Sequence, residues 1–240
     1  MKKRSAIFLF ILLITACLLL TGFGGIGNLD RLNGSWVPAE GHGSISFTPD
    51  GIVLGYASSG VTMWTLKSFD EKQFVLAQTL DYGSYSESSE ITMSYVLSED
   101  GKELTLTMSE MVVYDAEGKE QARQQSSGDS VFRRFDEIFG TWESEDHQAV
   151  MELRQDGTAS STVAGEQGPE QLLMVEPDRF NIVTLSEETG LIETVEQFSY
   201  TLSEDGNTMT VTYETMCFYD EKGSPYSEEY QPIEMVLIRK

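Results

Sequence analysis

Cysteine is scarce in this chain, and its scarcity excludes a disulfide-stapled scaffold. Only two cysteines occur among 240 residues, and Cys17 lies within an N-terminal apolar run. Cys217 therefore has no partner for an intramolecular bridge in the rest of the chain. The equivalent position of an internal repeat is Val112, and exchange with valine is typical of a small buried apolar residue. We predict a structural role for Cys217.

Basic residues are also few, and this limits the possible partners. The 16 Lys and Arg residues face 39 Asp and Glu residues, which gives a formal net charge of -23. Such a surface repels nucleic acid and anionic headgroups, so we predict that the chain does not bind nucleic acid. The acids are spread through the turns without an Asp-x-Asp-x-Asp-Gly calcium loop, and no metal site is predicted.

Catalytic signatures are missing as well. The two histidines, His42 and His147, follow equivalent strands of the repeat and are expected in exposed loops. The chain has no zinc-protease, nucleophile-elbow or paired-cysteine motif. We therefore predict no catalytic residue and no cofactor, and we expect a protein that is not an enzyme. A surface hydrolase that uses paired carboxylates stays an alternative, since acids are abundant.

The N-terminus has the pattern of an export signal. Lys2, Lys3 and Arg4 precede an apolar run from Ala6 to Leu20. A short basic region followed by an apolar stretch directs the following chain out of the cytoplasm. The sequence thus predicts that the domains that follow lie outside the cytoplasm.

Three fates remain open for this segment. Ile14–Cys17 resembles a bacterial lipobox, which makes Cys17 the lipidation candidate. Alternatively, Ala6–Phe23 is long enough for an uncleaved hydrophobic anchor helix, since a bilayer is spanned by about 17–25 residues. The third alternative is cleavage after one of the glycines that follow. The first two predict a cell-membrane-anchored protein whose N-terminal segment contacts the membrane.

The chain contains two copies of one unit. Several motifs return about 105 residues later, the signature of an internal repeat. Gly34–Trp36 recurs as Gly140–Trp142, Tyr95–Gly101 recurs as Tyr200–Gly206, and Arg134 recurs as Arg239. The repeat predicts a signal or anchor with a glycine-rich spacer at residues 1–28, one domain at 29–134 and a second at 135–240. No linker separates the copies, so we expect them to contact each other.

Alternation of apolar and polar residues dominates each copy. Glu103–Met108 and Thr208–Tyr213 place apolar residues at every second position, which predicts half-buried antiparallel strands. Ser-Glu-Asp-Gly precedes both segments and predicts a hairpin turn whose glycine adopts a positive φ. Turns at every ~8–12 residues predict an all-β sandwich or barrel of about eight strands per copy. A short helical turn is expected before each Gly-x-Trp motif, at 30–32 and 136–138.

This arrangement resembles the lipocalin-like, or calycin-like, barrels, and in length and signal type the uncharacterised lipocalin-like domains of bacterial surface lipoproteins. The shared features are the short turn, Gly-x-Trp on the first strand, meandering strands and an arginine on the last strand. The resemblance implies two tandem antiparallel barrels. It also implies that Arg134 lies across Trp36 and that Arg239 lies across Trp142, which closes one end of each barrel.

The size of each copy predicts where a function would lie. Eight strands enclose a space just wide enough for side chains or one small ligand, so we expect a filled interior and a function on the outer surface. Tyr82 and Tyr85 lie in a loop of the first copy that is shorter in the second copy and has no tyrosine there, and they are candidate partner contacts. We predict a binding or interaction module for an extracellular protein, a glycan or a small ligand. A carrier of a small apolar ligand inside one barrel is a further alternative.

Overall fold

The computed structural model describes most of the chain after the N-terminal apolar run. Cys17, Tyr82 and Tyr85, together with the segment at 6–23, lie outside the described residues. No helix in the described part is long and apolar enough to cross a membrane. The described residues are 26–57, 60–81, 86–220, 225–227 and 231–240.

The first copy forms a closed antiparallel barrel, here called barrel 1. Its sheet runs in the order β6-β5-β4-β3-β2-β1-β9-β7, and the β6–β7 pairing closes a circuit of eight strands. Strand β8 pairs with β7 outside this circuit. In chain order, β1 to β9 are Gly34–Pro38, Ser44–Phe47, Ile52–Ala57, Gly60–Phe69, Gln73–Asp81, Ser86–Leu97, Glu103–Tyr114, Glu120–Gln125 and Asp129–Arg134.

The second copy, barrel 2, has the same closed circuit. Its order is β11-β10-β19-β17-β16-β15-β14-β12, closed by β11–β12, while β13 pairs with β12 and β18 with β17 outside the circuit. In chain order, β10 to β19 are Gly140–Ser144, Ala149–Leu153, Thr158–Val163, Glu166–Gln167, Gln171–Val175, Arg179–Leu185, Ile192–Leu202, Thr208–Tyr219, Pro225–Ser227 and Ile233–Arg239. The all-β prediction of two tandem eight-stranded barrels is confirmed.

The predicted hairpin turns join β6 to β7 and β16 to β17. Ser98 N donates to Glu103 O at 2.9 Å, and Ser203 N donates to Thr208 O at 2.9 Å. Gly101 and Gly206 adopt φ values of 70° and 67°, in the left-handed region that only glycine enters without steric cost. These turns set the register that points alternate strand residues into each barrel.

The predicted helical turn differs between the copies. In the first copy, residues Ile26–Arg31 form a 3-10 helix. In the second copy, only a turn at Glu137 and Ile138 precedes β10, because the short stretch after Arg134 leaves room for a single turn. Leu32 and Ile138 are nevertheless both fully buried and occupy equivalent places at the end of their barrels.

Both interiors are packed with the barrel's own side chains. The predicted inward residues Leu104 and Leu106 join the core of barrel 1, and Met209 and Val211 join the core of barrel 2. Aromatic pairs contribute in each copy: the Phe47–Phe74, Phe69–Tyr95, Phe180–Phe198 and Phe198–Tyr213 rings lie between 4.8 and 5.6 Å apart. Such a core agrees with the space that eight strands enclose.

The two barrels contact each other through a third apolar cluster, as the missing linker predicts. Leu54 of β3 and Met174 of β14 are fully buried in this interface. The Oγ of Ser46 donates a hydrogen bond to the carbonyl oxygen of Leu173 at 2.8 Å. The other buried or half-buried members of this cluster are Ile52, Tyr56, Val61, Met63, Leu172, Val183, Leu185, Ile192, Val195, Cys217 and Tyr219.

The backbones of the two barrels also approach closely at Gly34. This residue has φ 116°, and a Cβ atom there would lie 2.3 Å from the carbonyl oxygen of Gln155 in the other barrel. The equivalent Gly140 has φ 138°, but a Cβ there would have nothing within 4 Å. A positive φ therefore requires glycine at this position in both copies. In the first copy, the close approach of the Gln155 carbonyl oxygen is a second reason for glycine.

Candidate functional site

Trp36 and Arg134 meet at one end of barrel 1. They are direct neighbours on β1 and β9, and the guanidinium carbon lies 4.8 Å from the centroid of the indole ring. The indole Nε1 donates to the carbonyl oxygen of Leu32 at 2.7 Å. The Nη2 of Arg134 donates to the carbonyl oxygens of Arg31 and Asn33 at 2.6 and 3.1 Å. Burial lowers the pKa of Arg134 from its usual value.

Barrel 2 repeats this arrangement with Trp142 and Arg239. The guanidinium carbon lies 4.6 Å from the ring centroid, and the indole Nε1 donates to the carbonyl oxygen of Ile138 at 2.7 Å. The Nη2 of Arg239 donates to the carbonyl oxygen of Glu137 at 2.7 Å. Each arginine thus ties the last strand of its barrel to the turn that covers the barrel end, which is a structural task.

The histidines lie in the loops where the sequence predicts them. His147 is exposed, has φ 59° and places its Nδ1 3.0 Å from the Glu143 carboxylate. A hydrogen bond from Lys240, and to a smaller extent one from His147, holds the pKa of Glu143 below its usual value. Among the described residues, no group of three or more His, Cys, Asp or Glu side chains could hold a metal ion.

Cys217 is half-buried and packs against the interface between the barrels. Its neighbours there include Val195, its antiparallel partner on β16. The position therefore serves inter-barrel packing, in accord with the structural role that exchange with valine predicts.

A groove opens on the outer surface where this interface ends. It has a volume of about 480 Å³ and is lined by β4 and β5 of barrel 1 and by the β15–β16 turn and Tyr219 of barrel 2. Val61 and Met63 form the barrel 1 side, and Leu191 and Ile192 form the other side. Because both copies contribute to it, the groove exists only in the tandem arrangement.

A second depression of about 510 Å³ adjoins this groove. The two share Thr189, Leu191, Ile192 and Tyr219. The second depression is also lined by three carboxylate side chains, which belong to Glu188, Glu193 and Asp220. Burial raises the pKa of the Tyr219 hydroxyl above its usual value of 10.0, and this group, like an ordinary tyrosine, is protonated at neutral pH and can donate a hydrogen bond.

Sequence reasoning missed this groove, although a signal for it is present. Val61–Leu66 on β4 is apolar on both faces: Trp64 and Leu66 pack into barrel 1, whereas Val61 and Met63 pack toward barrel 2. Gln171–Val175 shows the same feature on β14. A strand that is apolar on both faces is covered on both faces, and here the other copy provides the outer cover.

A third surface depression, of about 300 Å³, lies at the end of barrel 1. Arg31, Glu71, Lys72 and Tyr95 contribute to its lining. Its charges are of both signs and all come from one copy. Val96 and Leu97 complete its lining, so it differs from the groove between the barrels in its mixed charges and in being built by one copy alone.

Comparisons with known proteins leave the family open. No protein-family model matches the chain, and no curated protein is significantly similar to it in sequence. The two closed antiparallel barrels in tandem are consistent with a lipocalin-like fold. The function must therefore be argued from the surface of this molecule.

Proposed function

We propose that this chain is an exported, membrane-tethered lipoprotein of lipocalin-like type that binds a ligand or partner without catalysis. Its binding surface is the groove between the barrels, and the partner is an extracellular protein, a glycan or a small ligand. The observation that carries this proposal is the composition of the groove, which combines apolar side chains from both copies with threonine hydroxyls. Binding sites are typically concave and mostly apolar, with a few polar groups.

The packing of the barrels supports a site on the outside. Bulky side chains occupy both interiors, so a ligand inside a barrel would have to displace them at the cost of core packing. The groove requires no such displacement, and its volume of about 480 Å³ lies within the range of known ligand sites.

Titration of residues 29–240 with a neutral apolar fluorophore such as N-phenylnaphthylamine tests this assignment. We expect saturable binding at one site per chain. The exposed Thr79 lines the groove, so Thr79→Trp should abolish binding, whereas Thr201→Trp on the exposed far part of β16 should not. Saturation at one site per barrel, unaffected by Thr79→Trp, would favour the carrier alternative instead.

The N-terminal segment supports export and tethering. Basic residues precede its apolar run, and Cys17 stands in a lipobox-like position. In cells fed a palmitate analogue we expect the protein to be labelled, and Cys17→Ser should abolish the label. An unlabelled protein that sediments with membranes would indicate the uncleaved anchor, and an unlabelled protein in the medium would contradict tethering.

A further inference from the structure

We infer that the groove binds an extended peptide segment in which a bulky apolar side chain lies next to lysine or arginine. This inference rests on the proposed function and specifies its partner. It follows from two adjoining depressions: the groove itself, whose described lining carries no charged side chain and is here called the apolar half, and the second depression, whose described lining carries only acidic side chains and is here called the acidic half. These halves are continuous through Leu191, Ile192 and Tyr219.

The apolar half would receive the bulky side chain. Val61 and Met63 from barrel 1 face Leu191, Ile192 and Tyr219 from barrel 2. The described residues that line this half include no charged side chain, although acids are frequent elsewhere in the chain. Transfer of an aliphatic or aromatic side chain from water into such a surface is favourable in proportion to the apolar area covered.

The acidic half would receive the cation. Glu188, Glu193 and Asp220 contribute to its lining, and no lysine or arginine is among the described residues there. Glu188 and Glu193 form no ion pair with a described basic residue. A group of carboxylates at the rim of a groove attracts a cation and repels an anion such as a fatty acid or a phosphate.

Polar groups along the groove suit a peptide backbone. Gln78 and Thr79 line the apolar half and Thr189 lines both halves, and they offer side-chain hydroxyls and an amide. The Thr62 hydroxyl already donates to the carbonyl oxygen of Gly55 at 3.2 Å and is left as an acceptor. Such groups can donate to or accept from the carbonyl and amide groups of an extended chain. A peptide with neighbouring apolar and basic residues would therefore contact the apolar wall, the hydroxyls and the carboxylates together.

Calorimetric titration of the full chain in a nonionic detergent tests the inference with three peptides. The first, acetyl-Gly-Leu-Lys-Leu-Lys-Gly-amide, should bind saturably. Replacing both lysines by glutamate, or both leucines by serine, should weaken binding roughly tenfold or more, which corresponds to about 1.4 kcal/mol. Equal binding of the glutamate peptide would overturn the inferred charge preference, and equal binding of the serine peptide would overturn the apolar contact.

Matched variants locate the binding. The double variant Glu188→Gln and Glu193→Gln should weaken the lysine peptide several-fold and reduce its dependence on salt, since two attractive charges are removed. Glu187→Gln is the control, because Glu187 lies exposed in the same turn but, unlike Glu188 and Glu193, is not among the residues that line the acidic half. An equal loss with Glu187→Gln would show general attraction to an acidic protein and would contradict the site.

The fluorophore experiment separates this inference from the proposed function. If the fluorophore occupies the groove and no peptide binds, the peptide inference is wrong and the binding module stands. If neither the fluorophore nor any peptide binds to folded protein, both are wrong. Binding of the lysine peptide that Thr79→Trp abolishes would support both.

Discussion

Two equivalent turns, at 70–73 in barrel 1 and at 176–179 in barrel 2, have the same backbone hydrogen bond but different surroundings. In barrel 1, Asp70 N donates to Gln73 O at 2.9 Å, and Tyr95 Oη donates to Asp70 O at 2.9 Å. In barrel 2, Glu176 N donates to Arg179 O at 2.8 Å, and a tyrosine Oη again donates to the first turn residue, at 3.0 Å. Both copies therefore share these two hydrogen bonds.

The carboxyl groups in these turns nevertheless shift in opposite directions. Hydrogen bonds from the backbone N–H groups of Lys72 and Gln73 lower the pKa of the exposed Asp70. Burial raises the pKa of Glu176, which is only 5% exposed and whose Oε1 has no hydrogen-bond partner. The comparison shows that one local structure can hold a solvated carboxylate in one copy and a desolvated carboxyl in the other.

Titratable groups of both barrels affect the pKa of Glu176. Beside burial, which is the largest cause and raises this pKa, Arg179 lowers it, Asp178 raises it, and His42 of barrel 1 lowers it. The contact between the barrels thus gives the carboxyl groups of these two turns different environments, although the backbones of the turns fold alike.

The largest expected effect tests what the copies have in common. Trp142→Ala and Trp36→Ala should each lower the free energy of unfolding by roughly 3–5 kcal/mol, because each removes a large, fully buried aromatic side chain. Arg239→Ala should cost less. A double-mutant cycle for Trp142 and Arg239, measured by urea unfolding, should give a coupling of about 0.5–2 kcal/mol. A coupling energy near zero would contradict the prediction that this pair closes the barrel.

A second prediction concerns the interface. Leu54→Ala should destabilise the chain by roughly 2–5 kcal/mol, because Leu54 is fully buried between the barrels and not inside barrel 1. We expect calorimetry to resolve two unfolding transitions in this variant, since the copies lose mutual support. Val96→Ala, at a site 68% exposed on barrel 1, is the control and should leave the profile unchanged. A single unchanged transition in Leu54→Ala would contradict coupling through the interface.

The two Gly-x-Trp glycines sharpen the comparison further. Gly140→Ala should cost roughly 1–3 kcal/mol, because its positive φ is strained for any other residue. Gly34→Ala should cost more, since its Cβ would also collide with the Gln155 carbonyl of the other barrel. Thermal unfolding of both variants measures the difference. Equal losses of stability in the two variants would show that the collision with the Gln155 carbonyl adds no cost.

The smallest expected effect is a difference between the two turns in how their carboxyl groups change the stability of the protein with pH. Because its pKa is raised, Glu176 contributes stability below its ordinary value of 4.5, and this stability is lost as the pH rises through the raised value. Glu176→Gln should therefore stabilise the protein by about 1 kcal/mol above neutral pH and have little effect in acid.

Asp70 should behave in the opposite way. Its lowered pKa contributes stability above the ordinary value of 3.8, and that stability is lost as the pH falls through the lowered value. Asp70→Asn should therefore destabilise the protein at neutral pH. Urea unfolding of both variants across the pH range measures the two trends, and trends of the same sign would contradict the opposite environments.

Much of the fold could be predicted because its determinants are local. The recurrence of Gly34–Trp36 and Arg134 in the second copy, with period-two alternation and Ser-Glu-Asp-Gly turns, predicts two antiparallel all-β units. The resemblance to lipocalin-like domains implies that these units are barrels, and the barrels are confirmed. The structure also brings each predicted tryptophan and arginine together. Tyr82, Tyr85 and Cys17 lie outside the described residues, so their roles stay predictions.

The groove could not be predicted in the same way, because its two sides lie far apart in the chain. Met63 and Val61 belong to β4, whereas Leu191 and Ile192 follow β15 in the other copy. Alternation assigns these residues to a face of a strand, but it does not say what covers that face. Only the packing of one barrel on the other brings them to one surface.

The sequence by itself determined the repeat, the strands, the turns and the acidic surface, because each depends on residue type and short spacing along the chain. The tertiary structure alone decided which outer faces meet, that Glu176 is buried while Asp70 is exposed, and that an apolar groove adjoins three carboxylates. Desolvation is the physical reason: the energy of an apolar or charged group depends on what replaces water around it, and here the other barrel replaces it.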